Sequence, residues 1–301
     1  LTPNDNFAAN SSSFYWASRF LGSKTVEQVA ELYGFCRSLD DLADGNIVNN
    51  GDRLKNMRSD ILFDRASIDP LLSSFQPFIE RRGLPKSVLI EFMNGFLCDQ
   101  VDSLSIPTEN DLIRYAYRVA GTVGLLMCKI LNCSNHNAYY FAIDLGIGMQ
   151  LTNIARDVLE DARMGRRYLP GDWLEQLNPE QICAAAERPG GKNAITVKGA
   201  IKRLLKLADK YYASSSRGFI YLAPRIHFSI SIAAKVYHQI GIQLADCDYA
   251  WHEGRQVTSS YSKLCCSLIA LTSFFSRIVP PAVLNHDASL HEALKGLPYA
   301  H

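Results

Sequence analysis

Apolar residues recur every three to four positions along most of the chain, and nowhere do several alternating polar and apolar stretches follow one another. This period predicts amphipathic helices rather than strands. Turn signals such as Gly83-Leu84-Pro85 and Pro189-Gly190-Gly191 separate the periodic stretches. Because no low-complexity linker divides them, we expect one all-α domain over 1–301. The predicted helices span 8–21, 25–45, 52–62, 67–80, 85–99, 108–132, 136–161, 178–187, 193–221, 225–250 and 258–277.

Composition limits the function classes. Hydrophobic residues make up 48% and charged residues 20% of 301, a globular balance. With 31 basic against 30 acidic residues there is no basic excess, so we expect no nucleic-acid partner. Eight cysteines without a CxxC pair indicate reduced thiols and a cytoplasmic protein. No signal peptide is visible in the given sequence, and no run of 18 apolar residues occurs, so we expect a soluble or peripheral protein.

The helix over 25–45 changes character along one face. We expect a capping box from Thr25 to Gln28 to open it and Gly45 to end it. Asp40 and Asp44, one turn apart near its end, repel each other and oppose the helix dipole. A solvated acidic helix end would also explain them. Residues within about 80° of one another on that face are Val26, Ala30, Tyr33, Arg37, Asp40 and Asp44.

A second helix carries a similar face, and the presence of two such faces favours a functional role over a solvated helix end. Buried amides and carboxylates each need a partner, so this face is a poor core stripe. Oxygen ligands of this kind suit Mg²⁺, which takes one or two carboxylates together with substrate phosphates. Two such helices across a bundle would form a Mg²⁺–diphosphate clamp, with Arg156, Arg163, Arg166 and Arg167 near enough to hold phosphate oxygens. The second face comprises Gly146, Gln150, Asn153, Asp157 and Asp161.

These motifs resemble the squalene/phytoene synthase family, and most closely its bacterial phytoene-forming members. The resemblance covers most of the chain, to about Arg255, in the family's order and spacing. It is carried by the stretches Ser11-Ser-Ser-Phe-Tyr15, Tyr33-Gly-Phe-Cys-Arg37, Asp40-Asp41-Leu42-Ala43-Asp44, Tyr115-Ala-Tyr-Arg-Val-Ala-Gly-Thr-Val-Gly124, Gln150-Leu-Thr-Asn-Ile-Ala-Arg-Asp-Val-Leu-Glu-Asp161, Gly165-Arg-Arg-Tyr-Leu-Pro170 and Val236-Tyr237.

The resemblance implies a class I isoprenoid synthase fold, a helical barrel around an apolar tunnel. It implies head-to-head condensation of two C20 geranylgeranyl diphosphates, through a cyclopropylcarbinyl diphosphate, to phytoene, the first committed step of carotenoid synthesis. The implied cofactor is Mg²⁺, with Mn²⁺ as a substitute and without NADPH. One alternative is a squalene-type enzyme that forms presqualene diphosphate, hydroxysqualene or squalene from C15 farnesyl diphosphate. A non-catalytic assembly factor is the other, although it predicts eroded acidic motifs.

Residue roles follow from the resemblance one by one. The implied metal ligands are Asp40, Asp44, Asn153, Asp157 and Asp161, with Asp41 a weaker candidate because of its angle. The implied diphosphate-binding residues are Ser11, Ser13, Arg37, Tyr237 and Arg255. Near the reacting carbons the resemblance implies Gln150 and Tyr33, whose ring could stabilise a carbocation. Residues of the substrate tunnel are implied to be Phe14, Tyr115, Val119, Ala120, Val123, Gly124 and Gly146.

Simpler explanations stand beside several of these roles. Aromatic residues at helical spacing, such as Phe14, are usually core. Arg37 could pair with Asp41, and Arg166 and Arg167 could be solvated surface charge. Glycines at 121 and 124 indicate close helix packing or a kink. The seven histidines show no metal-binding spacing and are expected to be structural or solvated. A peripheral membrane contact would suit the release of so apolar a product. The sequence does not indicate which surface would make this contact.

Overall fold

The structure is a computed structural model that describes residues 12–45, 52–100, 104–274, 277 and 285–300. Helices dominate the described residues, which contain no strand and one isolated bridge between Ser105 and Arg167. The predicted all-α class is therefore confirmed. Nor does any described helix have the length and apolar character that a membrane span requires.

Twelve α-helices follow one another along the described chain. They are α1 (Ser12–Ser18), α2 (Ser23–Ala43), α3 (Arg53–Leu62), α4 (Pro70–Arg82), α5 (Lys86–Asp99), α6 (Glu109–Ala116), α7 (Thr122–Ile130), α8 (Asn137–Arg163), α9 (Pro179–Ala186), α10 (Lys192–Arg217), α11 (Pro224–Asp246) and α12 (Ser260–Ala270). A π-helical segment, Tyr117–Gly121, joins α6 to α7. Four 3₁₀ segments occupy Gly171–Trp173, Gly218–Tyr221, Leu271–Phe274 and Ala288–Leu294.

The long helix α8 lies at the centre of the bundle. It packs most extensively against α10, and also against α7, α9, α11 and the π-helical segment. Ile147 and Leu151 are fully buried, and each such side chain contributes about 1.5–3 kcal/mol on burial. A central helix buried on most sides leaves one face to line a cavity.

Two glycines let neighbouring helices approach α8 closely. A Cβ on Gly146 would lie 2.2 Å from the carbonyl oxygen of Ala120, and a Cβ on Gly124 would lie 2.1 Å from that of Ala142. No side chain fits at such distances. The close packing predicted at Gly124 is therefore confirmed. The helix predicted over 108–132 is interrupted by the π-helical segment, which ends at Gly121.

Helix boundaries differ from the prediction where caps decide them. No capping box forms at Thr25, because α2 already begins at Ser23 and its N-cap Gly22 makes no side-chain bond. Gly45 follows α2 with φ of +75°, as expected for a terminating glycine. The helix predicted over 67–80 begins at Pro70 because the Asp69 carboxylate accepts a hydrogen bond from the backbone N–H of Leu71.

The C-terminal segment, residues 285–300, was not predicted to be ordered structure. It forms the 3₁₀ segment Ala288–Leu294 and buries Leu294 and Leu297 against the helices. A 3₁₀ segment of this length is too short to show a periodic apolar pattern, so the sequence does not predict it.

Candidate active site

A cavity of about 910 Å³ runs between α2, α5, the π-helical segment, α7, α8 and α11. One end is lined by carboxylates from the C-terminal ends of α2, α5 and α8, and the rest is lined largely by apolar side chains. Asp157 and Phe141 both line the cavity, and their separation along α8 corresponds to about 24 Å at 1.5 Å per residue. The cavity is thus long, with acidic groups at one end.

Helix α2 turns one face to this cavity because its other face is the apolar core. Phe35, Leu39 and Leu42 are almost completely buried. Residues at the complementary spacing of three and four line the cavity, namely Tyr33, Arg37, Asp40 and Asp44. Asp41 is not among the lining residues, in agreement with its weaker predicted role.

Helix α8 presents the second acidic face as the sequence predicted. Its cavity-lining residues include Gly146, Gln150, Asn153, Asp157 and Asp161. Glu160, which the sequence analysis did not single out, also lines the cavity beside them. The two acidic helices therefore contribute to one end of one cavity.

Arginines cross-link the acidic groups. Arg37 donates to Asp40 and to Asp41, each at 2.7 Å. The Asp157 carboxylate is contacted by Arg156 at 2.7 Å and by Arg255 at 3.1 Å. These pairs place guanidinium groups beside the acidic ends of α2 and α8, where diphosphate oxygens could also accept from them.

Arg166 and Arg167 have different environments. Arg166 donates from Nη1 to Asp44 Oδ1 at 2.6 Å and so joins the segment after α8 to α2. Arg167 is 7% exposed and lies against Gly171, so it is not solvated surface charge. Arg163 is exposed.

The acidic cluster is electrostatically strained. Burial and the nearby charge of Asp157 raise the pKa of Asp161 to about 8. Partial burial and the charge of Asp44 likewise raise the pKa of Asp40 to about 6. Carboxylates that disfavour one another's charge in this way are suited to share a divalent cation, which would favour their ionised forms.

Asn153 provides an independent indication of a cation site. Its side-chain oxygen Oδ1 is buried and has no hydrogen-bond partner among the described residues. An unpartnered buried oxygen one turn before Asp157 is what a hard cation would coordinate. The residues present therefore fit Mg²⁺.

Asp99, the last residue of α5, is a cavity-lining carboxylate that no pattern in the sequence predicts. Its carboxylate accepts hydrogen bonds from Tyr168 at 2.8 Å and Tyr115 at 3.0 Å, and the two rings stack. Burial raises the pKa of Asp99 to about 6 despite these bonds. No spacing signal in the sequence links a single aspartate at a helix end to tyrosines in two other segments.

The remaining predicted residues fall into three groups. Phe14 and Tyr237 line the cavity with ring centroids 4.7 Å apart, so Phe14 is not simply core. Ser11 lies outside the described residues, and so does the side chain of Ser13. The others that line the cavity are Tyr115, Val119, Ala120, Val123, Gly124 and Arg255.

Comparison with known proteins agrees with this fold. A family profile described as squalene/phytoene synthase matches residues 7–262. The chain therefore belongs to the squalene/phytoene synthase family, and its fold is that of the isoprenoid synthases. A crystal structure of a dehydrosqualene synthase superposes with a TM-score of 0.78 at 25% identity, over 91% of this chain and 95% of that one.

Two relatives carry different product names. A 15-cis-phytoene synthase from a Paracoccus species is 32% identical over 275 residues, covering 88% of each chain. A presqualene diphosphate synthase from Rhodopseudomonas palustris is 34% identical, covering 75% of this chain and 90% of that protein. Membership of the family alone therefore does not fix the substrate's chain length.

Proposed function

We propose that this protein condenses two geranylgeranyl diphosphates head to head to form phytoene, in a Mg²⁺-dependent reaction. The observation that carries the proposal is the pair of acidic faces, on α2 and α8, at one end of a long cavity lined mainly by apolar groups. Such a cavity can take a charged diphosphate at one end and prenyl chains along its length. Several relatives named phytoene synthase support the C20 substrate.

In this proposal the metal ligands are Asp40, Asp44, Asn153, Asp157 and Asp161. When bound, Mg²⁺ neutralises charge that develops on the leaving diphosphate. Arg37 and Arg255 hold diphosphate oxygens, because a metal-bound carboxylate would leave their guanidinium groups available to a second anion. Tyr33 and the apolar walls shield the cationic prenyl carbons from water and stabilise them through the ring face.

Farnesyl diphosphate is the second candidate substrate. The presqualene diphosphate synthase relative and the dehydrosqualene synthase structure favour it. Purified protein should be incubated with Mg²⁺ and without NADPH, with C15 and C20 diphosphates in separate tubes. The proposal predicts phytoene from the C20 tube and none after chelation. Presqualene diphosphate or its derivatives from the C15 tube alone would establish the second candidate.

We further propose a single domain and a cytoplasmic protein. Contacts of α8 with helices from both halves of the chain support the single domain. The eight cysteines, which are all free, support a reducing compartment.

We also propose that the outer face of α12 and the residues beside it touch a lipid bilayer. Tyr261, Leu264, Leu268 and Leu271 are exposed at spacings of three and four, with Tyr261 76% exposed. Val257 is 67% exposed and also lines the cavity, so this apolar face adjoins it. No acidic residue occurs between Glu253 and Asp287, which suits an anionic lipid surface.

Sedimentation with phosphatidylglycerol vesicles tests the lipid contact. Replacing Leu264 and Leu268 together by serine should abolish binding while leaving thermal stability unchanged. The matched control is Ile195→Ser, since Ile195 is 60% exposed on α10. Equal vesicle binding by the double variant and wild type would contradict the proposal.

A further inference from the structure

A buried polar cluster surrounds Asp144 of α8, and its side chains do not line the cavity. The Asp144 carboxylate is 0% exposed and accepts hydrogen bonds from Ser214 Oγ at 2.6 Å, His286 Nε2 at 2.9 Å and His291 Nε2 at 2.9 Å. Burial alone would raise the pKa of Asp144, but the hydrogen bonds from the two histidines hold it below its ordinary value. The two histidines therefore share one carboxylate, a pairing that no pattern in the sequence indicates.

The cluster fastens the C-terminal segment to the helices. Both histidines belong to residues 285–300, whose backbone carbonyls also accept side-chain hydrogen bonds from the helical bundle. Tyr211 donates to Leu290 at 2.9 Å, and Arg114 donates to Ala293 at 2.8 Å. The family match ends at residue 262, so this segment lies beyond it.

His286 connects the cluster to the cavity through Phe141. The two rings meet edge to face with centroids 5.4 Å apart. Phe141 precedes Asp144 by one turn of α8, is 2% exposed and lines the part of the cavity remote from the carboxylates, where Ala138 also lines it. Gly218 also packs closely against Phe141, because a Cβ on Gly218 would lie 2.2 Å from the Phe141 Cβ. The ring therefore has little room to move while His286 stays in place.

We propose that His286, held by Asp144, is a positioning residue that fixes Phe141 in the wall of this remote part of the cavity and so limits the length of the prenyl chain accepted. The inference rests on the proposed function and deepens it. A chain one isoprene unit longer would have to displace Phe141, which a well-packed wall resists. Loss of the His286 ring removes that support and opens the space behind Phe141.

The same side chains could instead bind a metal ion. Their ligand atoms lie within 4.8 Å of one another, and two histidines with one carboxylate suit zinc. In this arrangement each histidine Nε2 is already satisfied by a carboxylate oxygen, which favours the hydrogen-bonded cluster. Zinc analysis of the purified protein decides between them: one equivalent of zinc in wild type, lost in His291→Asn, would overturn the proposal.

The main experiment compares kcat/KM for C20 and C25 prenyl diphosphates. His286→Gln keeps an N–H donor for Asp144 but removes the ring, and Phe141→Ala removes the wall itself. Each should raise the C25-to-C20 ratio by about tenfold. If His286 acts through Phe141, the C25-to-C20 ratio of the double variant should be only slightly higher than that of Phe141→Ala. The control His136→Gln alters an exposed histidine at the start of α8 and should leave the ratio unchanged.

Three results would overturn the proposal. They are an unchanged ratio in a folded His286→Gln, a parallel loss of activity on both substrates, and fully additive effects in the double variant. If His286→Gln does not fold, Asp144→Asn supplies the same test, since an amide offers one acceptor oxygen in place of two. Should wild type condense the C15 substrate instead, the proposed function fails, and the C20-to-C15 ratio of the same variants tests the positioning role separately.

Discussion

Arg166 and Asp44 form an ion pair of 2.6 Å that joins the segment after α8 to the C-terminal end of α2. Their side chains are 16% and 28% exposed, so the pair is partly shielded from water. It directly links the end of one acidic helix to the segment that follows the other, and it places a guanidinium group where both the carboxylates and a diphosphate can reach it.

Replacing Arg166 should weaken diphosphate binding. Arg166→Met removes charge-assisted hydrogen bonds worth about 1.5–3 kcal/mol, which corresponds to roughly a 10- to 100-fold loss in kcat/KM. The measurement is steady-state diphosphate release at saturating Mg²⁺. Arg163→Met is the matched control, because Arg163 is exposed on the same part of the chain. Equal kinetics of the two variants would remove Arg166 from the site.

The metal assignment predicts that Asp40→Asn and Asp157→Asn each lose activity by roughly a hundredfold or more, since an amide does not supply the charge needed to hold Mg²⁺ against the leaving diphosphate. Asp41→Asn is the control. Asp41 pairs with Arg37 at 2.7 Å outside the cavity lining, so its loss should change the rate by about fivefold at most. Near-normal rates in either main variant under saturating Mg²⁺ would refute the assignment.

Close packing around α8 predicts a stability effect. Gly146→Ala should lower the free energy of unfolding by about 1–3 kcal/mol, because its Cβ would overlap the Ala120 backbone. Gly199→Ala in α10 has nothing within 4 Å and should gain about 0.5–1 kcal/mol. Denaturant melts of both variants measure the contrast. An unchanged free energy of unfolding in Gly146→Ala would mean that α8 and the π-helical segment can move apart at little cost.

Filling the cavity should change substrate preference more than ionisation. Ala120 lines the cavity on the π-helical segment, so Ala120→Phe shortens the space for a prenyl chain. We expect the kcat/KM ratio of C20 to C15 substrate to fall by about tenfold or more, while diphosphate release from the C15 substrate continues. An unchanged ratio would count against this part of the lining.

The raised pKa of Asp99 predicts that the stability of the protein depends on pH. Its pKa is raised from 3.8 to about 6 in the folded protein, so the folded state holds its proton more tightly than the unfolded state. This contribution is fully present below about pH 4 and is lost as pH rises through 6. Asp99→Asn should therefore raise the melting temperature at pH 8 relative to wild type, with a smaller gain at pH 5. An equal change in melting temperature at pH 8 and at pH 5 would contradict the raised pKa of Asp99.

Local patterns predicted the helices well and the distant contacts poorly. The cavity-lining faces of α2 and α8 follow from spacings of three and four within one helix, so the acidic residues could be placed from the sequence. Asp144 meets His291 across 147 positions, and Asp99 meets Tyr168 across 69. Neither pairing has a periodic signature, because tertiary packing alone brings these groups together.

The most direct test of the account is a competition between substrates. Equal concentrations of C15 and C20 diphosphates should be given to the wild-type protein in one tube with Mg²⁺, and products analysed by mass spectrometry with and without a chelator. The account predicts phytoene as the main product and no product after chelation. A predominance of C30 products, or turnover that survives removal of the metal, would contradict it.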